Sequence, residues 1–325
     1  MGRKFTRFVN ESETIDARIV AAVNRGEANL EVARHEFGLL GTHSVEEALD
    51  QNLDFVIISS TTVAHAEQVV AAAEAGCHIF CEKPIALTLS DADRMIGAVG
   101  RAGVISTVNY IMRFNPAYLE LRRLIESGEL GDVLSLSHQK TRGYGLYAGG
   151  ARHRAIVEPD ESGGWSVHHA CHDLDFLYWC LGTFSTVYGA LASTSPPGMS
   201  EEVVEAIVRF DCGAVGSIAD SVSILRYHFT RVIGSKASAV VQGENDATVF
   251  LRQHEGIPEG AGSAIRLEVQ DRKRPGGGID HFFECIAAGV DSPHNLASAR
   301  YSLQAALALQ KSAASGQPVD PALVT

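Results

Sequence analysis

An α/β layer followed by an α+β half with a mostly antiparallel sheet is the architecture this sequence predicts, on three observations. Short apolar runs alternate with helical stretches up to about residue 109, a rhythm that demands parallel strands joined by helical crossovers. From about residue 110, long alternating runs follow one another with few helices between them, the pattern of antiparallel strands. The chain has 325 residues, more than one hydrophobic core usually serves, so two domains, 1–109 and 110–325, are expected.

In the first half, a helix opens the chain directly after Met1, and residues 17–23 (ARIVAAV) form the first strand-like run. A helix is expected over 28–37, then a strand or turn at 39–41. Ser44-Val45-Glu46-Glu47 is a capping-box pattern that starts another short helix. The buried-strand run 53–59 (LDFVIIS) precedes an Ala-rich helix over 63–75, which Gly76 is placed to end in a left-handed cap. A strand ending at Cys81, a helix over 90–100 and a strand over 104–108 complete the layer. In the second half a helix over 117–127 leads to a strand at 133–140, a Gly/Tyr/Arg-rich loop at 142–162 and a helix over 165–181. Strands follow at 185–192, 202–210, 214–224, 229–233, 237–242, 248–252 and 265–269. Asp211-Cys212-Gly213 and Gly234-Ser235-Lys236 serve as hairpin connections. Helices at 279–288 and 296–314 close the chain.

Composition narrows the function classes. Hydrophobic residues make up 46% and charged residues 20%, as in an ordinary globular protein. A net charge of −12 argues against nucleic acid or an anionic membrane as the main partner, since both demand a basic face. No apolar run reaches membrane-spanning length, and no secretory n-region and h-region open the chain. The six cysteines show no CxxC pair and read as free thiols in a reducing cytoplasm.

Cys81-Glu82-Lys83-Pro84 is the most informative stretch. It follows the apolar strand residues His78-Ile79-Phe80, and the carboxyl end of a buried parallel strand is where α/β enzymes place ligands. Proline steers Lys83 away from helical backbone and so aims its ammonium. Taken alone, a solvated lysine is the simpler reading. The companions change that reading: Ser60-Thr61-Thr62-Val63-Ala64-His65 after an earlier strand, Met112-Arg113-Phe114-Asn115-Pro116, Ser127-Gly128-Glu129-Leu130-Gly131, and Gly163-Gly164-Trp165-Ser166-Val167-His168-His169-Ala170-Cys171-His172-Asp173.

In this order and spacing the motifs resemble the Gfo/Idh/MocA family of NAD(P)-dependent oxidoreductases over nearly the whole chain. The resemblance implies a Rossmann-like first domain and a second α+β domain that binds substrate. It implies hydride transfer between a nicotinamide and a secondary alcohol or ketone of a sugar, inositol or related polyol. It makes His172 the acid or base, Lys83 the electrostatic partner and His168 a substrate contact or proton relay, with Lys83 and His172 converging on one carbinol carbon. Oxidising an alcohol needs a base that titrates near working pH, which suits histidine, and a cation for the developing alkoxide. Cofactor-binding positions are Gly2, Asn24, Arg25, Ser60, Thr61, Thr62, His65, Glu82, Lys83, Pro84 and Arg113. His65 is as suited to packing beside the cofactor as to touching it. Asn24-Arg25 stands where an acid commonly binds the NAD ribose, so the cofactor leans to NADP over NAD.

Two departures from the family pattern stand out. No first strand and no G-x-G-x-x-G loop precede the opening helix; Gly2 corresponds to the last glycine of that fingerprint. In the strand order 3-2-1-4-5-6 the first strand is central, so its loss leaves two neighbouring edges unpaired and weak dinucleotide binding is expected. The other departure is His168, where many relatives carry an aspartate. At i, i+4 on one helix, His168 and His172 share a face. That pair also invites a metal, but no spacing selects a third ligand among Glu161, Asp173 and Asp175, so no metal is assigned. His169, Asp173, Phe176, Tyr178 and Trp179 read as packing, and Tyr144, Tyr147, Arg152 and His153 as a solvated loop or a polyol pocket. Two further readings stay open: a cofactor-poor, non-catalytic binding protein, and a relative that uses NAD transiently in glycoside cleavage or epimerisation. A homodimer or homotetramer through the second-domain sheet is expected, covering apolar positions such as Val204, Ala206 and Val208.

Overall fold

The structure, a computed structural model, describes residues 1–143, 158–193, 199–223, 227–243, 248–254, 265–267 and 277–325. Two compact units emerge, one of Met1–Ala86, Ser90–Asn109 and Arg274–Ser298, the other of Leu87–Leu89, Tyr110–Lys273 and Ala299–Thr325. The loop residues Tyr144, Tyr147, Arg152 and His153 lie outside the described residues.

The first unit runs α1 (Gly2–Glu11), β1 (Ala21–Val23), α2 (Glu27–Phe37), β2 (Leu40–Thr42), α3 (Val45–Leu49), β3 (Phe55–Ile58), α4 (His65–Glu74), β4 (His78–Cys81), α5 (Leu89–Ala102) and β5 (Ser106–Val108). Helix Ile279–Ala288 belongs to it as well. All strand pairs are parallel, but they form two sheets, β1–β2 and β3–β4–β5. No described strand joins the two. On β3, Phe55, Val56 and Ile57 are only half-buried, while all of β5 is buried. Phe80 of β4 anchors the core, edge-on to Phe5 of α1 at 5.4 Å and beside Phe282 at 5.7 Å. Local signals act as read. Ser44 accepts the Glu47 N–H at 3.1 Å, and Gly76 at φ 78° ends α4. Glu47 bonds the Thr42 hydroxyl rather than the Ser44 backbone, so only half of a capping box forms.

The second unit holds α6 (Pro116–Glu126), β6 (Val133–Gly143), α7 (Pro159–Ser162), α8 (Gly164–His168), α9 (Cys171–Leu181), β7 (Phe184–Ala192), β8 (Val203–Phe210), β9 (Val215–Ser223), β10 (Tyr227–Gly234), β11 (Ala237–Gln242), β12 (Thr248–Gln253) and β13 (Ile265–Leu267). Helix Leu296–Ser315 also packs here for most of its length. Its eight strands lie in the order β13-β12-β11-β10-β6-β9-β8-β7, antiparallel except for the parallel pair β6–β9. Alternation sets the two faces. Leu136, Val208, Ile218, Val232 and Ala239 are buried, and Val208, Phe210 and Leu177 of α9 crowd over Gly216. Val204, Ala206 and Val208 were expected to need another subunit, but they are buried within the chain itself. The period of two turns Glu205, Ile207 and Arg209 to the open face instead.

A second correction concerns the helix expected over 165–181. It is two helices, α8 and α9, with His169 at φ −119° between them. The ladder skips here: Ala170 N–H reaches Trp165 C=O at 3.0 Å and His172 N–H reaches only His169 C=O at 3.1 Å. His168 therefore ends one helix and His172 lies in the first turn of the next, so the shared-face reasoning for that pair does not hold.

Candidate active site

In the first unit, Lys83 stands just beyond β4, and its surroundings are tied down on every side. The Glu82 N–H bonds Ile58 C=O at 2.9 Å, and the Asn109 N–H bonds Cys81 C=O at 3.0 Å. Asn109 Nδ2 donates to the buried Glu82 carboxylate at 2.9 Å, and its Oδ1 accepts the Gly278 N–H at 3.3 Å. The Lys83–Pro84 peptide is cis, and Lys83 is half-buried. His65, 1% exposed, donates from Nδ1 to the Pro84 carbonyl at 3.0 Å. A carbonyl can only accept, so this bond fixes the tautomer. Burial lowers the His65 pKa, which makes the ring a neutral clamp on the Glu-Lys-Pro turn. Burial also pushes the Cys81 thiol far up, so it is not a nucleophile.

Of the residues assigned to a dinucleotide, Asn24, Arg25, Ser60, Thr61 and Thr62 follow strands of this unit. Asn24 follows β1; its Oδ1 accepts from the Gly26 N–H at 2.9 Å and from Asn29 at 3.2 Å. Arg25 is exposed and donates to the Thr61 hydroxyl at 3.3 Å. Ser60 Oγ donates to Gln68 at 2.7 Å, and Thr62 is buried. Gly2 begins α1, whose first turn has no side-chain cap; a Cβ there would come no closer than 3.8 Å, to Ser59 Oγ. Uncapped amides, a hydroxyl cluster and an exposed guanidinium fit a phosphorylated dinucleotide.

In the second unit the Gly163-Gly164 pair is a steric requirement. Both have positive φ (80° and 79°), and a Cβ on Gly164 would lie 2.6 Å from the Glu201 carboxylate. The turn delivers His168, half-buried, and then His172, 5% exposed. Tyr110 meets the His172 ring edge-on at 5.7 Å, and His169 does so at 6.0 Å. Burial raises the Tyr110 pKa well above its ordinary value, so the phenol stays neutral. Arg113 also sits over the Tyr110 ring, at 5.7 Å. Its guanidinium is 3% exposed and grips Asp175 twice, at 2.8 and 2.6 Å. Ser302 donates to the same carboxylate at 2.7 Å. Burial works against the Arg113 cation, yet Asp175 outweighs it and raises the pKa. Of the aromatic set, Phe176 is fully buried, Tyr178 packs on Tyr301 at 4.5 Å, and Arg122 lies over Trp179 at 4.6 Å.

A buried polar cluster behind His172 was not foreseen. Lys140 bonds Asp173 and lies 3.3 Å from Asp220; His169 Nδ1 lies 2.8 Å from Asp220. His138 Nε2 is 3.2 Å from Asp173, and its Nδ1 is 2.7 Å from Thr230 Oγ1. The signal was present in the sequence: Leu136, His138 and Lys140 share one face of β6, and that face is core. Among the described residues no group of three His, Cys, Asp or Glu is placed to hold a metal ion.

Both halves of the chain match known proteins. The profile described as "Oxidoreductase family, NAD-binding Rossmann fold" matches residues 1–110, and the GFO/IDH/MocA C-terminal domain profile matches 118–240. A scyllo-inositol 2-dehydrogenase (NAD(+)) of Bacillus subtilis is 28% identical over 284 residues, 83% of this chain and 78% of its own. A 2,7-anhydro-N-acetylneuraminate hydratase of Escherichia coli is 29% identical over 253 residues, 76% of this chain and 66% of its own. Levoglucosan dehydrogenase in complex with NADH shares the fold, with TM-score 0.82 and 23% identity over 93% of this chain and 89% of the other. With both halves matched in order, the chain belongs to the Gfo/Idh/MocA family of NAD-binding oxidoreductases.

Proposed function

We propose that this chain is a dinucleotide-dependent dehydrogenase or reductase acting at a secondary alcohol or ketone of an inositol, sugar or related polyol. The observation that carries the reading is the Glu82-Lys83-Pro84 turn at the tip of a parallel strand, where Asn109 holds the Glu82 carboxylate and His65 holds the Pro84 carbonyl. When bound, the nicotinamide supplies the hydride chemistry. The chain's own residues do the rest. His172 takes the hydroxyl proton during oxidation and returns it during reduction. Lys83 holds the substrate oxygen and stabilises negative charge on it as the proton leaves. His168 contacts substrate or passes the proton onward. Gly2, Ser60, Thr61 and Thr62 hold the phosphates, Glu82 and Pro84 flank the nicotinamide ribose, and Arg25 receives the 2′-phosphate of NADP. We assign His65 and Arg113 to holding these groups in place.

The inositol dehydrogenase relative supports the substrate class, and the exposed Arg25 supports NADP. The relative with a hydratase name favours a second reading, a reaction with no net oxidation. Assembly through the open sheet face, where Ile207 and Tyr227 are exposed, fits a homodimer or homotetramer. Steady-state assays with an inositol and sugar panel test the proposal. His172→Asn is expected to lower kcat about 10²–10⁴-fold, the usual worth of a general acid–base. Lys83→Met is expected to lower it about 10²–10³-fold, and Arg25→Ser to weaken NADPH about tenfold with NADH unchanged. Substrate conversion without change in the NAD(P)H absorbance would select the second reading, and a fully active His172→Asn would end both.

A further inference from the structure

His169 reads from the sequence as packing, yet three contacts aim its ring. Trp165 stacks flat on it, centroids 4.1 Å apart at 10°. Asp220 Oδ2 lies 2.8 Å from its Nδ1. The His172 ring meets it edge-on at 6.0 Å. Asp220 is in turn held by Lys140, which also bonds Asp173, and Asp173 reaches His138 and through it Thr230. Burying so many ionisable groups costs several kcal/mol per ion, and apolar residues of similar volume would pack without that cost. Their use here calls for a role beyond packing.

We propose that His169 is a positioning residue of the reaction: Asp220 fixes it as the Nδ1–H tautomer, and the pair orients His172 and favours its protonated form. The proposal rests on His172 being the proton-transfer group. Burial acts to raise the Asp220 pKa, but Lys140 and His169 outweigh it and hold the carboxyl far below its ordinary range. Asp173, by contrast, is pushed up by burial despite Lys140. Asp220 is therefore the more readily ionised of the two. A carboxylate on Nδ1 locks an imidazole and places negative charge one ring away from His172, the logic by which a buried aspartate supports a neighbouring imidazolium. Among the described residues, the groups facing this assembly are Asp220 of β9, Lys140 and His138 of β6, and Asp173 and Asp175 of α9. Tyr110 and Arg113 face it from the segment ahead of α6.

The test has two arms. In the wild-type protein, ¹⁵N-detected histidine NMR at neutral pH is expected to show a proton on His169 Nδ1; a bare Nδ1 with the proton on Nε2 overturns the proposal without any activity assay. Asp220→Asn keeps the shape and removes the charge. It is expected to lower kcat about tenfold with KM within about threefold, and to move the acid limb of the kcat profile about one pH unit lower. Superimposable profiles sink the proposal. Should Asp220→Asn fail to fold, His169→Asn retains a donor toward Asp220 and is expected to show the same kcat loss at unchanged Tm; wild-type kcat there overturns the proposal. An active His172→Asn would defeat the function proposed above, whereas an inactive one beside wild-type-like Asp220→Asn and His169→Asn would defeat this inference alone.

Discussion

His65 looks like a cofactor contact in the sequence because it closes a hydroxyl-rich turn; burial and the Pro84 carbonyl turn it inward. Burial lowers its pKa below the ordinary 6.5, and the consequence for stability has a definite sign. Below that ordinary value the unfolded chain binds a proton that the folded ring refuses. Stability therefore falls as pH drops through about 6.5 and stops falling once the folded value is passed. His65→Asn can still donate to Pro84 but does not titrate. Its thermal unfolding is expected to lose less stability than wild type between about pH 7 and pH 5, the gap growing by up to about 1.4 kcal/mol per pH unit. Parallel Tm curves for the two proteins would refute this. The same inward turn takes Arg113 to Asp175. No sequence pattern names that partner, because it lies 62 residues away on another helix.

At the scale of elements, capping chemistry was legible and steric approach was not. Gly76 ends α4 where the apolar period stops, and its φ of 78° is the reason glycine is there. Gly234 lies at the end of β10, beside a register shift, and its hairpin pattern marks a turn but not the close approach there. A Cβ there would sit 2.1 Å from the Leu130 carbonyl oxygen, a backbone atom that cannot swing away. Gly234→Ala is expected to cost about 3 kcal/mol by overpacking, and Gly76→Ala about 1 kcal/mol. Urea unfolding of both variants checks the order; equal losses would contradict the steric account. The broken helix at His169 belongs to the same scale. The residues from Trp165 to Leu181 carry helical signals throughout, and at the break Trp165 and Asp220 engage His169 from different elements.

At the scale of the whole molecule, the separation of β1–β2 from β3–β4–β5 is the dominant feature of the first unit. In the order 3-2-1-4-5-6 one central strand belongs between those edges, and unpaired edges are weak points of a sheet. Amide exchange is expected to be faster at Phe55–Ile58 of half-buried β3 than at Ser106–Val108 of buried β5. Equal protection of the two strands would contradict this. The second unit has no such gap, since its eight strands form one continuous sheet.

The sequence alone determined the alternation of elements and the two-part architecture, and it marked the two motifs that carry Lys83 and His172. Those follow from period, turn chemistry and short spacings, which are local properties. The inward turn of His65 and Arg113, the buried assembly around Lys140, the break between α8 and α9 and the face that covers Val204, Ala206 and Val208 were decided by tertiary structure. Each depends on a partner distant in the chain, and hydrogen bonding or exclusion of water selects such partners only once the strands and helices have met.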